Sequence, residues 1–160
     1  MQQSVLTRLA PPRIENGKSL LIAGLSERYT AETRSRIPAQ WQRFLPHLGK
    51  IPGQIGRTTY GVLSETDTDG NMEYMTGVEV SDFSEVPPEF NHVQIPERRY
   101  AVFTENEHIS TIQQAWSTIW NKRLAESGLQ KASGPAFERY GENFDPETGL
   151  GGFEIWVPIN

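Results

Sequence analysis

The sequence predicts an α+β fold: two copies of a strand-helix-strand-strand unit, joined into one antiparallel sheet that carries both helices. Three observations predict it. Apolar runs of strand character recur in the same order around two helical stripes, over about residues 19–80 and again over about 92–159. The two stripes share a local signature, Ile37-Pro38-Ala39-Gln40-Trp41 and Ile112-Gln113-Gln114-Ala115-Trp116, with Ile and Trp at the same spacing. Gly77-Val78-Glu79-Val80 falls in the first unit where Trp156-Val157-Pro158-Ile159 falls in the second. Two matches in the same order indicate an internal duplication, in which Trp41 corresponds to Trp116 and Val78 to Val157. Each half has too few strands to make a good core alone. The 160 residues are therefore expected to form a single domain, 1–160, with a groove at the seam between the halves.

Each element has a local reason. Residues 5–14 read as an edge strand broken by Pro11-Pro12, and Glu15-Asn16-Gly17-Lys18 as a turn. Residues 19–29 are a strand. Ile37, Trp41, Phe44, Leu45 and Leu48 then line one side of a helix. Pro38 suits its first turn, and Pro46 and Gly49 mark its end. Residues 58–64 and 71–80 read as strands joined by an acidic loop, Glu65 to Asp69, with Asp69-Gly70 as a hairpin signal. The loop lacks the pattern of a calcium site and reads as a solvated turn. A connector with Pro87-Pro88 leads into strands at 92–95 and 99–104. Ser110 and Gln113 form a capping box for a second helix, with Ile112, Ala115, Trp116, Ile119 and Leu124 as its stripe and Gly128 as its end. Residues 136–140 and 153–159 are the closing strands.

Composition narrows the function. The net charge is −5, and no basic stripe is present. Phosphate contacts dominate nucleic-acid affinity, so no intrinsic DNA binding is expected. Without cysteine there is no disulfide, thiolate nucleophile or cysteine-ligated metal. His47, His92 and His108 lack ligand spacing and read as surface or capping residues. No cofactor and no metal are expected. Residues 1–8 lack the long apolar core of a signal peptide, so none is expected, and no apolar run approaches the roughly 18 residues of a membrane span. The expectation is a cytoplasmic protein.

The last strand carries the functional question. On Phe153-Glu154-Ile155-Trp156-Val157-Pro158-Ile159, alternation puts Phe153, Ile155, Val157 and Ile159 on one face and Glu154, Trp156 and Pro158 on the other. A lone carboxylate in an otherwise buried strand costs several kcal/mol unless paired. Glu154 pairs with an arginine such as Arg139, sits at a wet rim, or meets a ligand. Trp156 beside it suits a flat cation through cation–π attraction, or belongs to the core. Tyr60, Tyr74, Met75 and Phe137 sit on strands expected to flank the cleft. Met75 holds the place in the first half that Glu154 holds in the second. Trp41 and Trp116 lie on helix stripes, where an aromatic serves core packing more often than a pocket.

Ala136-Phe137-Glu138-Arg139-Tyr140, a Gly- and Asp-bearing loop, and the final strand together resemble the C-terminal signature of the GyrI-like small-molecule-binding family. Arg99-Tyr100-Ala101-Val102-Phe103-Thr104 running into the Trp116 helix fits it as well. The resemblance covers about residues 19–159. It implies a duplicated fold with a groove between the halves, as in effector-binding domains of AraC- and MerR-type regulators such as Rob and BmrR and in stand-alone gyrase-inhibitory proteins. It also implies an acidic residue of the last strand facing bulky organic cations, and Glu154 is the position that matches. Some members resemble hydrolases of cyclopropane-containing natural products. The repeats use up the chain, so no helix-turn-helix and no direct transcriptional control are expected.

The resulting expectation is non-catalytic binding of an amphipathic, cationic, aromatic organic molecule. Glu154 supplies charge, and Trp156, Tyr60, Tyr74, Met75, Trp116 and Phe137 supply walls. The alternatives are a hydrolase in which Glu154 activates water against a strained electrophile, and a protein-interaction module with a partner such as gyrase.

Overall fold

A computed structural model describes residues 11–30, 32–65 and 71–160. The strands are β1 (Arg13–Gly17), β2 (Leu20–Tyr29), β3 (Gln54–Glu65), β4 (Met72–Val80), β5 (Asn91–Ile95), β6 (Arg98–Glu105), β7 (Ala136–Tyr140) and β8 (Phe153–Pro158). Helix α1 (Ile37–Phe44) follows β2, and α2 (Ile112–Thr118) follows β6. The predicted hairpin signal Asp69-Gly70 and residues 5–10 of the predicted first strand lie outside the described residues.

The strands form one sheet in the order β1-β6-β8-β7-β3-β4-β2-β5. Every pairing is antiparallel. The fold is α+β, as expected. Its inner six strands show the duplication: β3-β4-β2 on one side of the seam and β7-β8-β6 on the other. Register repeats too. Ala23 pairs with Val78 as Ala101 pairs with Val157. Both valines are fully buried on the helix-bearing face, so they hold equivalent positions. The seam is the β3–β7 ladder, where Gly61 faces Glu138.

The first predicted turn is instead part of a strand. Glu15, Asn16 and Gly17 belong to β1 and pair with Tyr100, Arg99 and Arg98 of β6. Gly17 permits this, because a Cβ there would come within 2.7 Å of the Tyr100 ring. The edge strands thus cross over: β1 precedes the first unit yet flanks the second, and β5 precedes the second yet flanks the first. Only two residues separate β1 from β2, and only two separate β5 from β6, so the sheet's two ends are tied together. Leu20, Ile22 and Ile95 from one end and Tyr100 and Val102 from the other accordingly share one core cluster with Tyr60, Val62, Met75 and Phe137. This core fills the face without helices.

The other face carries α1 and α2. Buried Gln40 fixes α1: its Nε2 donates to the carbonyls of Leu25 (2.9 Å) and Tyr74 (3.0 Å), and its Oε1 accepts from the Tyr29 hydroxyl (2.6 Å). These bonds satisfy a buried amide that would otherwise cost about 1–3 kcal/mol. Helix α2 is shorter than predicted. It passes into a π-helical turn (Ile119–Arg123) and a last short turn (Leu124–Glu126). The predicted capping box is replaced by His108, whose Nδ1 accepts from the Ser110 backbone N–H at 3.0 Å. Ala115, Ile119 and Leu124 pack on Phe103, Phe153, Ile155 and Val157. Among the described residues no helix is long and apolar enough to cross a membrane.

Candidate functional site

Helices α1 and α2 stand apart over the seam, and between them lies a groove of about 1340 Å³. Trp41, Leu45 and Leu48 form one wall, and Ile112, Trp116 and Trp120 the other. Leu63, Met72, Tyr74, Glu138 and Tyr140 make the floor. Exposed charges, Glu32, Arg34, Arg57 and Glu142, border it. Of the predicted stripe, Ile37, Trp41, Leu45 and Leu48 are only half buried because they line this groove, whereas Phe44, with Gln40, makes the buried contacts of α1.

Glu138 lies at the centre of the floor and is only 5% exposed. Its Oε1 accepts hydrogen bonds from the Tyr74 and Tyr140 hydroxyls, each at 2.7 Å. Its Oε2 accepts from Trp116 Nε1 at 2.8 Å. Trp41 Nε1 donates to the Tyr74 hydroxyl at 3.0 Å, so both helix tryptophans reach this cluster, one directly and one through a tyrosine. Gly61, the partner of Glu138 across the seam, has no side chain to crowd it. A Cβ there would stand 2.6 Å from Glu138 Oε1 and would run into the Tyr74 hydroxyl.

The electrostatics of the cluster are one-sided. Burial pushes the Glu138 carboxyl above its ordinary value, and the bonds from Tyr74, Tyr140 and Trp116 pull it back only in part. Every one of those donors is neutral. Burial and the neighbouring Glu138 raise Tyr74 and Tyr140 well above the usual phenol range, so both remain proton donors. Three charge-assisted hydrogen bonds, at about 1.5–3 kcal/mol each, make an ionised Glu138 tolerable without neutralising it.

Of the residues singled out from the sequence, Tyr74 and Trp116 line this groove. Glu154, Trp156, Tyr60, Met75 and Phe137 do not. They lie on the opposite face, because β7 and β8 alternate: Glu138 pairs with Ile155 towards the helices, and Arg139 pairs with Glu154 away from them. Glu154 has internal partners there. Its Oε2 meets Arg13 at 2.9 Å, and its Oε1 accepts from Arg139 at 3.4 Å and from Trp156 Nε1 at 3.0 Å. Burial works against ionisation of Glu154, but bonds from Arg13 and Trp156 and the charges of both arginines outweigh it and hold the carboxyl below its ordinary value. Trp156 stacks on Phe137 at 5.4 Å, and Tyr60, Phe137 and Met75 are core. Tyr74 and Met75 are adjacent in sequence and so point to opposite faces.

Sequence reasoning missed Glu138, Tyr140 and Trp120. A signal was present for Glu138: like Glu154, it is a lone carboxylate inside an apolar strand. Among the described residues no group of histidines and acids is arranged to hold a metal ion.

The chain matches the model of the GyrI-like small molecule binding domain over residues 10–160. It is 28% identical over 152 residues to the transcriptional regulator BrlR of Pseudomonas aeruginosa, covering 92% of this chain and 54% of that protein. It is 28% identical over 95 residues to a DNA gyrase inhibitor of Yersinia enterocolitica, covering 57% of this chain and 60% of that protein. The chain thus spans little more than half the length of these relatives. Among solved structures, SAV2435 bound to tetraphenylphosphonium has a TM-score of 0.75 at 20% identity over 94% of each chain. The C-terminal domain of EcmrR has a TM-score of 0.62 at 14% identity, over 92% of this chain and 96% of that one. At such identities the likeness shows a shared fold.

Proposed function

From the premise that this chain belongs to the GyrI-like small-molecule-binding family, we propose that its groove binds a bulky organic cation and that Glu138, in place of Glu154, is the counter-charge. The observation that carries this reading is the buried Glu138 carboxylate, whose partners among the described residues are all neutral donors, at the floor of an aromatic groove. A ligand cation supplies the positive charge that Glu138 lacks. Glu154 already has Arg13 and Arg139.

The hydrogen-bond inventory narrows the ligand class. A carboxylate offers about four acceptor positions, and three on Glu138 are taken. The indole N–H groups of Trp41 and Trp116 and both tyrosine hydroxyls are turned towards the cluster. A primary ammonium brings three N–H groups and would find only one acceptor position still open on Glu138. A quaternary or delocalised cation has no such groups and gains Coulomb and cation–π attraction from carboxylate and rings. A structural relative, SAV2435, has been solved with tetraphenylphosphonium, a cation of this kind.

The test is calorimetric titration with tetraphenylphosphonium and with neutral triphenylphosphine oxide. The cation is expected to bind at least tenfold more tightly. Equal affinities, or preference for the neutral compound, would sink the counter-charge role. A partner protein is a second reading, supported by the relationship to a DNA gyrase inhibitor. A complex with gyrase that survives saturating cation would favour it.

A further inference from the structure

Trp120 borders the groove but takes no part in holding Glu138. Its ring stacks on Trp116, with centroids 5.7 Å apart and planes 21° from parallel. Trp116 is itself fixed by its bond to Glu138, so the stack is anchored at its inner end. Its outer end is open: Trp120 is 43% exposed. Trp120 sits one turn after Trp116, in the π-helical turn Ile119–Arg123 into which α2 passes. Such turns are rare and gather at functional sites. The corresponding position on α1, one turn after Trp41, is Leu45, where that helix ends in a tight turn. The aromatic extension exists on one wall only.

We infer that Trp120 is a specificity-determining residue that selects cations bearing flat aromatic arms, one arm adding a third ring to the Trp116–Trp120 stack while the charged centre rests over Glu138. This rests on the groove being the ligand site. A large exposed apolar ring gains free energy only when something covers it, and a flat ring covers it best. An aliphatic cation of equal charge meets the same Glu138 but lacks the stacking partner.

The test compares tetraphenylphosphonium with tetrabutylphosphonium on the full chain and on Trp120→Ala, Trp120→Leu and Trp120→Phe. Trp120 is exposed, so all three variants are expected to melt close to the unaltered protein. Trp120→Ala should weaken tetraphenylphosphonium by about two- to twelvefold, the range set by one aromatic pair. It should change tetrabutylphosphonium less than about twofold. Trp120→Leu should behave like the alanine variant towards the aromatic cation, and Trp120→Phe should recover most of the affinity. Equal losses for both cations in the alanine variant, or no loss for either, overturn the role of Trp120 while leaving the groove in place. An unaltered chain that binds neither cation overturns the groove as the ligand site, and Trp120's role with it.

Discussion

Glu138 and Glu154 sit on neighbouring strands and face opposite ways through one sheet. Each accepts a bond from an indole N–H, Trp116 in one case and Trp156 in the other. Each is surrounded by aromatic rings. They differ in the charge of their remaining partners. Two tyrosine hydroxyls complete the shell of Glu138, whereas Arg13 and Arg139 complete that of Glu154. Neutral donors leave a buried carboxylate raised and uncompensated; guanidinium groups leave it lowered and satisfied. Aromatic company therefore does not identify a cation site. Among the described residues, what separates the two carboxylates is the charge of their partners.

The comparison breaks most directly at Glu138→Gln. Removing the charge should weaken tetraphenylphosphonium binding by about 2–5 kcal/mol, because the ligand's charge is left unpaired in a partly desolvated site. The melting temperature should hold or rise, since folding no longer carries an uncompensated carboxylate. Titration calorimetry and thermal melts on the same preparation measure both. A destabilised variant with undiminished cation affinity would exchange the roles assigned to the two carboxylates.

Gly61→Ala tests the seam itself. The added methyl meets Glu138 Oε1 and the Tyr74 hydroxyl, which cannot both keep their places. Overpacking of this kind costs about 1–3 kcal/mol, and cation affinity should fall alongside stability. A variant that melts normally and binds normally would mean that the cluster is looser than its distances indicate.

The pH dependence has opposite signs on the two faces. The folded-state pKa of Glu138 lies above its ordinary value of 4.5, so the folded protein takes up its proton first. From Glu138 alone, stability falls as pH rises from 4.5 through that raised value and is level outside the window. Cation affinity behaves inversely and begins to fall on acidification above pH 4.5, as Glu138 takes up its proton. The folded-state pKa of Glu154 is lowered, so its contribution is present above 4.5 and disappears as pH falls through the lowered value. Binding isotherms between neutral pH and pH 4.5 separate the two, because only the groove carboxylate should govern the cation. Affinity that stays flat down to pH 4.5 would remove Glu138 from the site.

The smallest effect is expected from Glu154→Gln. Its arginine partners are half exposed, at 45% and 39%, and pairs of that kind contribute about 0–1 kcal/mol. Stability should drop by no more than that, and cation affinity should stay within about twofold. A large and charge-selective loss of binding in this variant would return Glu154 to the site.

The sequence by itself determined the fold class, the duplication and most strand positions. These follow from chain-local regularities: alternation on strands, the helical stripes, and the repeated Ile–Trp spacing. Alternation on the last strand also separated Glu154 and Trp156 from Phe153, Ile155 and Val157, a division the structure keeps. Only the tertiary structure decided which of those faces meets the helices. A period of two says that neighbours point apart but not which side is covered, and the groove lies under α1 and α2. Tyr74 was picked out together with Met75, and Phe137 ahead of Glu138, although each pair must split across the sheet. The donors to Glu138 come from β4, α2 and β7, and the arginines on Glu154 from β1 and β7. Arg13 reaches Glu154 only because β1 crosses to the far half of the sheet. Charge compensation of a buried group is a sum over partners distant in sequence, so which carboxylate meets arginines and which meets only neutral donors among the described residues emerged only when the strands were paired.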